Sequence, residues 1–480
     1  MNVEELLQDL PIQGAFPGNL EVTGISIDSR KVKPGDLFVA LTGSNYDGRM
    51  FAEQAVSAGA VAVLAEGPVV GERTVPWLQT ENARPLLGPM SSRLWARPDG
   101  RLKMIGITGT NGKTTVAELV SAILTQSATE NVRIGTLGNR LGTQELGSQR
   151  TTPEAPELFA ALDQAAQQGA GAAVLEVSSH GLAQGRVAEL EFDVALFTNL
   201  SRDHFDFHKG WEDYFTTKRR LFDQLKEGGT AVICIDDHYG LRLAAELDDR
   251  LTYGEQGDVR VIDADLTFQG IRAQVRTPRG DYEIDSHLIG SYNLSNLLAA
   301  VAVAEVLGLP HQQVAQAIAR VRPVDGRLEP VVGQIPAFVD YAHTPTALEA
   351  ALTALRSLGA KHLIVVFGCG GDRDAGKRIP MGQAASALAD LAIATSDNPR
   401  NEDPARILEA VEEGLRATDK SNFLIEPNRQ AAIRRAVEEA TNESVILVAG
   451  KGHERVQIVG AEEIPFSDQQ QLRNALEAQG

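Results

Sequence analysis

Residues Gly106 to Thr115 read GITGTNGKTT. A strand-like run, LKMIGIT, leads into this stretch, and the amphipathic run TTVAELVSAILTQ leads out of it. Between them stand Gly109 and Gly112, then Lys113, Thr114 and Thr115. Such a junction suits a phosphate. A tight glycine turn presents backbone N–H groups, and the following helix offers the positive end of its dipole. Lys113 can reach outer phosphates, and the Thr114 hydroxyl can ligate Mg²⁺. The strict pattern G-x-x-x-x-G-K-[ST] wants a glycine where Ile107 stands, so this stretch alone leaves the class of loop open. The plain alternative is a strand–turn–helix connection. Gly-Lys-Thr-Thr at such a junction is unusual without a phosphate.

Two further stretches carry metal-competent side chains. LEVSSH puts Glu176 at the carboxyl end of the next strand-like run, where open parallel sheets place their ligands. An ordinary strand-end carboxylate is the equal alternative. TNLSRDHFDFHKGWEDYFTTKRRLF holds Asp203, His204, Asp206 and His208. Those four could suggest a zinc hydrolase. The phosphate loop on a neighbouring strand favours magnesium instead, and a polar loop with one satisfied core histidine is the bland reading. Lys218, beside Arg219 and Arg220, reads on its own as a surface lysine.

These groups need a scaffold, and the chain has a suitable rhythm. Residues 1–98 read as a small α/β unit: VTGISIDSRKVKPGDLFVAL holds two short strands split by KPGD, and FAEQAVSAGAVAVLAE reads as helix, glycine turn, strand. From 99 to 328 strand–loop–helix units repeat, which argues for a mostly parallel sheet with right-handed crossovers. VRVIDADLTF, IRAQVRT and DYEIDSHL alternate instead, so a small antiparallel annex is expected there. The βα rhythm restarts over 329–480 as a Rossmann-like, doubly wound unit: KHLIVVFGCGG, LADLAIATSDNPR and SVILVAGKGHE each run from strand to turn. Three domains suit 480 residues, 43% of them hydrophobic.

The formal net charge of -19 argues against nucleic acid as a partner, since phosphate backbones need a basic face. A small anionic ligand would be held locally by backbone N–H groups, magnesium and a few cations. Two cysteines, Cys234 and Cys369, build no disulfide framework. With no apolar signal core and no bilayer-length apolar run, a cytoplasmic protein with no membrane partner is expected, as is a monomer.

At this point the residues carry a resemblance. GTNGKTT, EVSSHG, TNLSRDHxDxH with a downstream lysine, SYNLSN, DGRLE, DYAHTP, GCGGDRD, DNPR and GKGHE occur in the order seen in the Mur ligase family of peptidoglycan synthesis. Each motif is modest evidence, but nine in order across the chain are specific. The family's loop is G-T-N-G-K-[ST], so the missing upstream glycine lies outside its pattern. The resemblance implies a three-domain ATP-dependent amide ligase. It adds meso-diaminopimelate to the D-glutamate of UDP-N-acetylmuramoyl-L-alanyl-D-glutamate through an acyl phosphate.

By the same resemblance, ATP would be held by Gly109, Thr110, Asn111, Gly112, Lys113, Thr114 and Thr115. Asn293 would meet the adenine, Arg327 the γ-phosphate and Asp340 the ribose, with His343 nearby. The residues carrying catalysis would be Lys113, Glu176, His204, Lys218 and Arg327. Mg²⁺ would be bound by Thr114, Glu176, His204 and Lys218, the last as N6-carboxylysine. Ile27, Ser29, Thr151, Thr152, Ser178, Gln184 and Arg186 would hold the UDP-muramoyl-peptide, with Ser44–Asn45–Tyr46 a weaker match. Diaminopimelate would meet Arg373, the Asp397–Asn398–Pro399–Arg400 turn, Gly450 and Glu454. In that scheme Arg373 takes a carboxylate, while Asn398, Gly450 and Glu454 take amino groups. Arg400 can grip the far carboxylate, which lysine lacks, with a planar bidentate fork. PVDGRLE departs from many relatives at Asp325, next to a hinge.

Other readings stay open. A lysine-adding relative would depart at Arg400. A folylpolyglutamate-synthetase-like ligase would lack the DSR domain near the start. A P-loop ATPase switch acting on a protein would turn over ATP without a small amine.

Overall fold

The computed structural model describes residues 1–43, 47–67, 74–142, 144–145, 150–323, 325–418 and 420–479; Ser44–Asn45–Tyr46 lies outside the described residues. The chain packs into two compact units. One comprises Met1–Thr108, Ala128–Leu196 and Thr216–Ala231, and the other Gly109–Ser127, Phe197–Phe215 and Val232–Gly480.

The first unit opens with a four-stranded sheet in the order Gly24–Ser26, Asp36–Ala40, Ala62–Glu66, Trp77–Thr80, each strand parallel to the next. Phe38, Ala40, Val63 and Ala65 alternate along their strands and pack with Ala52 and Ala55 of the helix Ala52–Ser57. The unit continues into the larger sheet. There Lys103–Thr108 pairs parallel with Ala172–Glu176, which pairs parallel with Asn131–Gly135. Gly138–Leu141 then returns antiparallel. Lys103–Thr108 and Ala172–Glu176 are buried on both faces apart from Lys103, as expected of a central parallel strand.

In the second unit, Arg260–Thr267, Gly270–Thr277 and Gly280–Ser286 form the expected antiparallel annex. Ser291–Val306, the NLSNLLAAVAVAEV segment, is a buried helix. The six-stranded sheet has the order Glu329–Val331, Ala337–Asp340, Ser444–Ala449, His362–Phe367, Leu391–Ala394, Phe423–Ile425, all parallel except the first. Side-chain alternation builds its two cores. Leu363, Val365 and Phe367 face the layer of helices Pro345–Ser357, Arg378–Leu388 and Pro404–Arg416. Ile364 and Val366 face Arg429–Glu438 and Asp468–Gln479. The GCGG, DNPR and GKGHE stretches all follow the carboxyl ends of strands in this sheet. Among the described residues, no helix is long and apolar enough to cross a membrane.

Candidate active site

The loop Gly109–Gly112 needs glycine twice. Gly109 has φ +142°, and a Cβ there would lie 1.9 Å from Thr198 Oγ1. Gly112 caps the helix Lys113–Gln126 at φ +87°, and a Cβ there would lie 2.3 Å from Asn296 Oδ1. The loop is stitched to the segment after Phe197. Thr110 N–H donates to Asn199 O at 2.9 Å, and Asn111 N–H to Asn199 Oδ1 at 3.0 Å. Thr198 Oγ1 donates to Asn111 O at 2.6 Å. Lys113 Nζ lies on its own loop, donating to Gly109 O at 3.0 Å and Thr110 O at 2.7 Å. Thr114 and Thr115 are buried in the first helical turn.

Asn293, the expected adenine contact, is buried, donates to Ile289 O at 2.8 Å and accepts from Asn296 Nδ2 at 3.0 Å. Arg327 lays its guanidinium over the Tyr341 ring, 4.7 Å from the centroid. Tyr341 also packs edge-on to His343 and against His453. Asp340 was expected at a ribose, yet its oxygens meet backbone. Oδ2 accepts from Leu328 N–H at 2.6 Å and Oδ1 from Ala342 N–H at 2.8 Å. Leu328 has φ +41°, so the carboxylate pins a left-handed turn beside Arg327. Burial pushes the Asp340 carboxyl up, against the pull of Arg327 and those two N–H groups.

Asp203 and His204 occupy the adjoining loop, His204 at φ +56°. Burial raises the Asp203 carboxyl, but His204, His343 and Lys377 outweigh it and hold the group below its ordinary range. Burial and Lys377 push His343 down, so its imidazole is neutral near pH 7, with Nδ1 2.8 Å from Tyr341 O. His208 is a buried histidine against Asp213 at 3.2 Å, which fits the bland reading of that residue. Among the described residues, no group of three or more His, Cys, Asp and Glu side chains could hold a metal ion.

In the first unit five of the expected muramoyl-peptide residues, Thr151, Thr152, Ser178, Gln184 and Arg186, join one network with Glu176. That side chain is buried, with Oε1 accepting from Thr136 N–H at 2.9 Å and Oε2 near Thr136 Oγ1 at 3.0 Å. Thr136 Oγ1 meets Thr151 Oγ1 at 3.0 Å. Thr152 Oγ1 donates to Glu176 O at 2.9 Å and accepts from Ser178 N–H at 3.0 Å. Ser178 caps the short helix Ser179–Ala183 through Gly181 N–H. Arg186 donates to Thr152 O at 2.8 Å and to Gln184 Oε1 at 2.6 Å.

Two members of that network were not foreseen. Thr136 had no sequence signal. Glu154 collects three arginines, Arg84 at 3.1 Å, Arg150 at 2.5 Å and Arg186 at 3.0 Å. Burial is the main force lowering Arg186. Ser29 is buried in the four-stranded-sheet region, donating to Gln54 Oε1 at 2.9 Å, and Ile27 is half-buried. Lys218 reverses its surface reading: it is 1% exposed in the last turn of the helix Trp211–Arg219.

The third cluster caps the six-stranded sheet. Gly371 N–H donates to Asn398 O at 2.9 Å, and Arg400 Nη1 donates to Gly371 O at 2.8 Å. A Cβ on Gly370 would lie 3.0 Å from Arg400 Nη1 and 3.9 Å from Arg373 Cγ, so both arginines gather at this glycine. Arg400 has φ +52°. The hairpin Val456–Val459/Glu462–Pro465 holds it there, through Arg400 N–H to Ile458 O at 3.1 Å and Gly460 N–H to Arg400 O at 2.7 Å. Gly450, at φ +118°, has room for no Cβ beside Asp397 Oδ2 at 2.8 Å. A Cβ on Gly371 would lie 1.9 Å from Pro399 O. Asn398 Nδ2 donates to Glu454 Oε2 at 2.7 Å. Lys451, unforeseen, is fully buried beneath them, 2.9 Å from Glu454 Oε2 and 3.7 Å from Asp397 Oδ1.

Comparison with known proteins gives three family matches along the chain. Family profiles match residues 21–92 ("Mur ligase family, catalytic domain"), 107–304 ("Mur ligase middle domain") and 326–452 ("Mur ligase, glutamate ligase domain"). A Synechococcus elongatus protein named UDP-N-acetylmuramoyl-L-alanyl-D-glutamate--2,6-diaminopimelate ligase is 43% identical, covering 99% of each chain. A solved structure of a protein so named superposes with a TM-score of 0.67 at 33% identity, covering 100% of this chain and 99% of the other. A Mycobacterium tuberculosis folylpolyglutamate synthase shares the fold at a TM-score of 0.64 and 21% identity, over 75% of this chain and 91% of its own.

Proposed function

The chain belongs to the Mur ligase family, and from that premise we propose that it is the ATP-dependent ligase joining meso-diaminopimelate to the D-glutamate of UDP-N-acetylmuramoyl-L-alanyl-D-glutamate. The observation that carries the choice of amino acid is the cap of the six-stranded sheet. There the Arg400 guanidinium lies at Gly370 with the stem of the Arg373 side chain beside it, and the carboxylates Asp397 and Glu454 stand at the same cap. Diaminopimelate carries two carboxylates and two amines, and this set matches both pairs of charges.

The reaction runs in two steps. The substrate carboxylate takes the γ-phosphoryl group of ATP, forming an acyl phosphate and ADP. The amine nitrogen then forms a C–N bond to the acyl carbon. The tetrahedral intermediate collapses as its C–O bond to phosphate breaks, and the amine proton leaves to solvent. Such transfers need alignment and charge neutralisation more than covalent help. Lys113 and Arg327 supply cations, and the Gly112–Thr115 backbone at the start of the helix supplies N–H groups. Asn293 meets the adenine. In our reading Asp340 acts on ATP chiefly by fixing the turn that carries Arg327.

By the family resemblance Thr114, Glu176, His204 and a Lys218 carbamate would each serve as magnesium ligands; the oxygen donors among them suit that hard cation, which would neutralise phosphate charge. Carbamylation needs the uncharged amine, which burial of Lys218 favours. Ile27, Ser29, Thr151, Thr152, Ser178, Gln184 and Arg186 hold the nucleotide-sugar peptide. We assign residues 1–98, 99–328 and 329–480 to the UDP end, ATP and the amino acid respectively. A cytoplasmic monomer suffices for these small-molecule partners.

The reading is tested at Arg400. Wild-type protein should use diaminopimelate over lysine by roughly ten- to hundred-fold or more in kcat/KM, since lysine leaves the guanidinium without its carboxylate. Arg400→Ala should lose most of that preference while the KM for ATP stays unchanged. Equal use of both amino acids by the unmutated protein would defeat the assignment.

A further inference from the structure

The Asn398 side chain has a restricted choice of partners. Its Oδ1 accepts from Lys451 Nζ at 2.8 Å and from Ile458 N–H at 3.0 Å. Its Nδ2 donates to Glu454 Oε2 at 2.7 Å. An amide oxygen has two lone pairs and an amide nitrogen two hydrogens. Both lone pairs are therefore used, and one N–H remains. The orientation is fixed by chemistry. Lys451 Nζ and the Ile458 N–H can only donate, and an ionised Glu454 can only accept. Rotating the amide by half a turn would set donor against donor twice and acceptor against acceptor once.

Resting on the ligase reading above, we infer that Lys451 is a positioning residue. Together with the Ile458 N–H it locks Asn398 as a donor, so Asn398 reads the far carboxylate of the incoming amino acid and not an amine. This departs from the expectation that Asn398 takes an amino group. The amines fall to Asp397 and Glu454, which lie within 3.7 Å and 2.9 Å of the Lys451 ammonium. Asn398 then works beside Arg400, two residues along the same turn. The hairpin serves both residues, since Ile458 gives its N–H to Asn398 and its carbonyl to Arg400. A charge-assisted bond from Lys451 to the amide oxygen also polarises the amide, strengthening the remaining N–H as a donor.

Three amino acids separate the readings: diaminopimelate, lysine without the far carboxylate, and 2-aminopimelate without the far amine. Asn398→Asp keeps the shape and the acceptors facing Lys451 and Ile458, and replaces the free donor by an anion. We expect kcat/KM for diaminopimelate and 2-aminopimelate to fall tenfold or more, with lysine held within about threefold. Lys451→Met frees the amide to turn and should narrow the preference for diaminopimelate over lysine tenfold or more. The KM for ATP should stay unchanged in both variants. If Asn398→Asp keeps diaminopimelate and raises use of lysine, Asn398 is an amine acceptor and the inference falls, while the ligase reading stands. Equal losses for all three amino acids in both variants also overturn it. Should Lys451→Met fail to fold, Asn398→Asp still decides. No preference for diaminopimelate in the unmutated protein would defeat the ligase reading and this inference with it.

Discussion

Lys113→Ala is expected to lower kcat/KM for tripeptide formation by about a hundred- to a thousandfold, with the thermal midpoint nearly unchanged. Lys113 opens the helix that follows the glycine turn, and its Nζ rests on Gly109 O and Thr110 O. Those contacts are with the loop's own carbonyls, so the ammonium lies where a phosphate would sit against the N–H groups. Losing a cation that meets charge developing in the transition state costs on the order of 3–4 kcal/mol, which is two to three powers of ten in rate. The fold does not lean on this lysine, because the loop is held by Asn199, Thr198 and Ser201 through Thr110 and Asn111. Steady-state kinetics with a melting curve checks both halves. A loss under tenfold, or a collapse of the melting midpoint that accounts for the loss, would count against the loop as the phosphate site.

The largest effect on stability is expected at Arg429. Its guanidinium and the Asp468 carboxylate are both fully buried, joined at 2.7 Å and 2.6 Å, with Nη2 also donating to Ala449 O at 2.9 Å. The pair ties the first residue of the helix Arg429–Glu438 to the first of Asp468–Gln479, the two helices on one face of the six-stranded sheet. Removing one partner strands a buried charge. Arg429→Met should therefore destabilise this part of the chain by about 3–5 kcal/mol. Replacing the whole pair, as Arg429→Met with Asp468→Leu, should recover most of that loss, since an apolar pair leaves no charge stranded. Urea unfolding of the single and double variants measures it. A double variant less stable than either single would show that the pair contributes as an ion pair, contrary to this account.

The loop Gly109–Thr115 was legible because everything defining it is local: strand, glycines, lysine and helix follow one another. The annex was legible for the same reason, since strict alternation over Gly270–Thr277 and Gly280–Ser286 can hardly fit a helix. The turn at Asp397–Arg400 also announced itself through its Asn-Pro step. Lys218 did not. Beside Arg219 and Arg220 it looks like a solvated face, and only tertiary packing buries it. Glu154 was hidden because its arginines lie at 84, 150 and 186. Asp340 was read from its motif as a sugar contact, and its bonds to two backbone N–H groups twelve and two residues away had no sequence signal. Lys451 was passed over within GKGHE because its amide partner stands 53 residues away. Composition and period report which face is buried; they carry no information on which of two polar atoms of an asparagine meets which donor.

The central claim is that ATP turnover is coupled to capture of an amino acid on an activated acid. Its most direct measurement is ADP release by the purified protein with each substrate left out in turn. The account predicts that sustained ADP release, beyond a single turnover, occurs only when UDP-N-acetylmuramoyl-L-alanyl-D-glutamate and diaminopimelate are both present, with one tripeptide formed per ADP. ADP release at the same rate without either of them would contradict it.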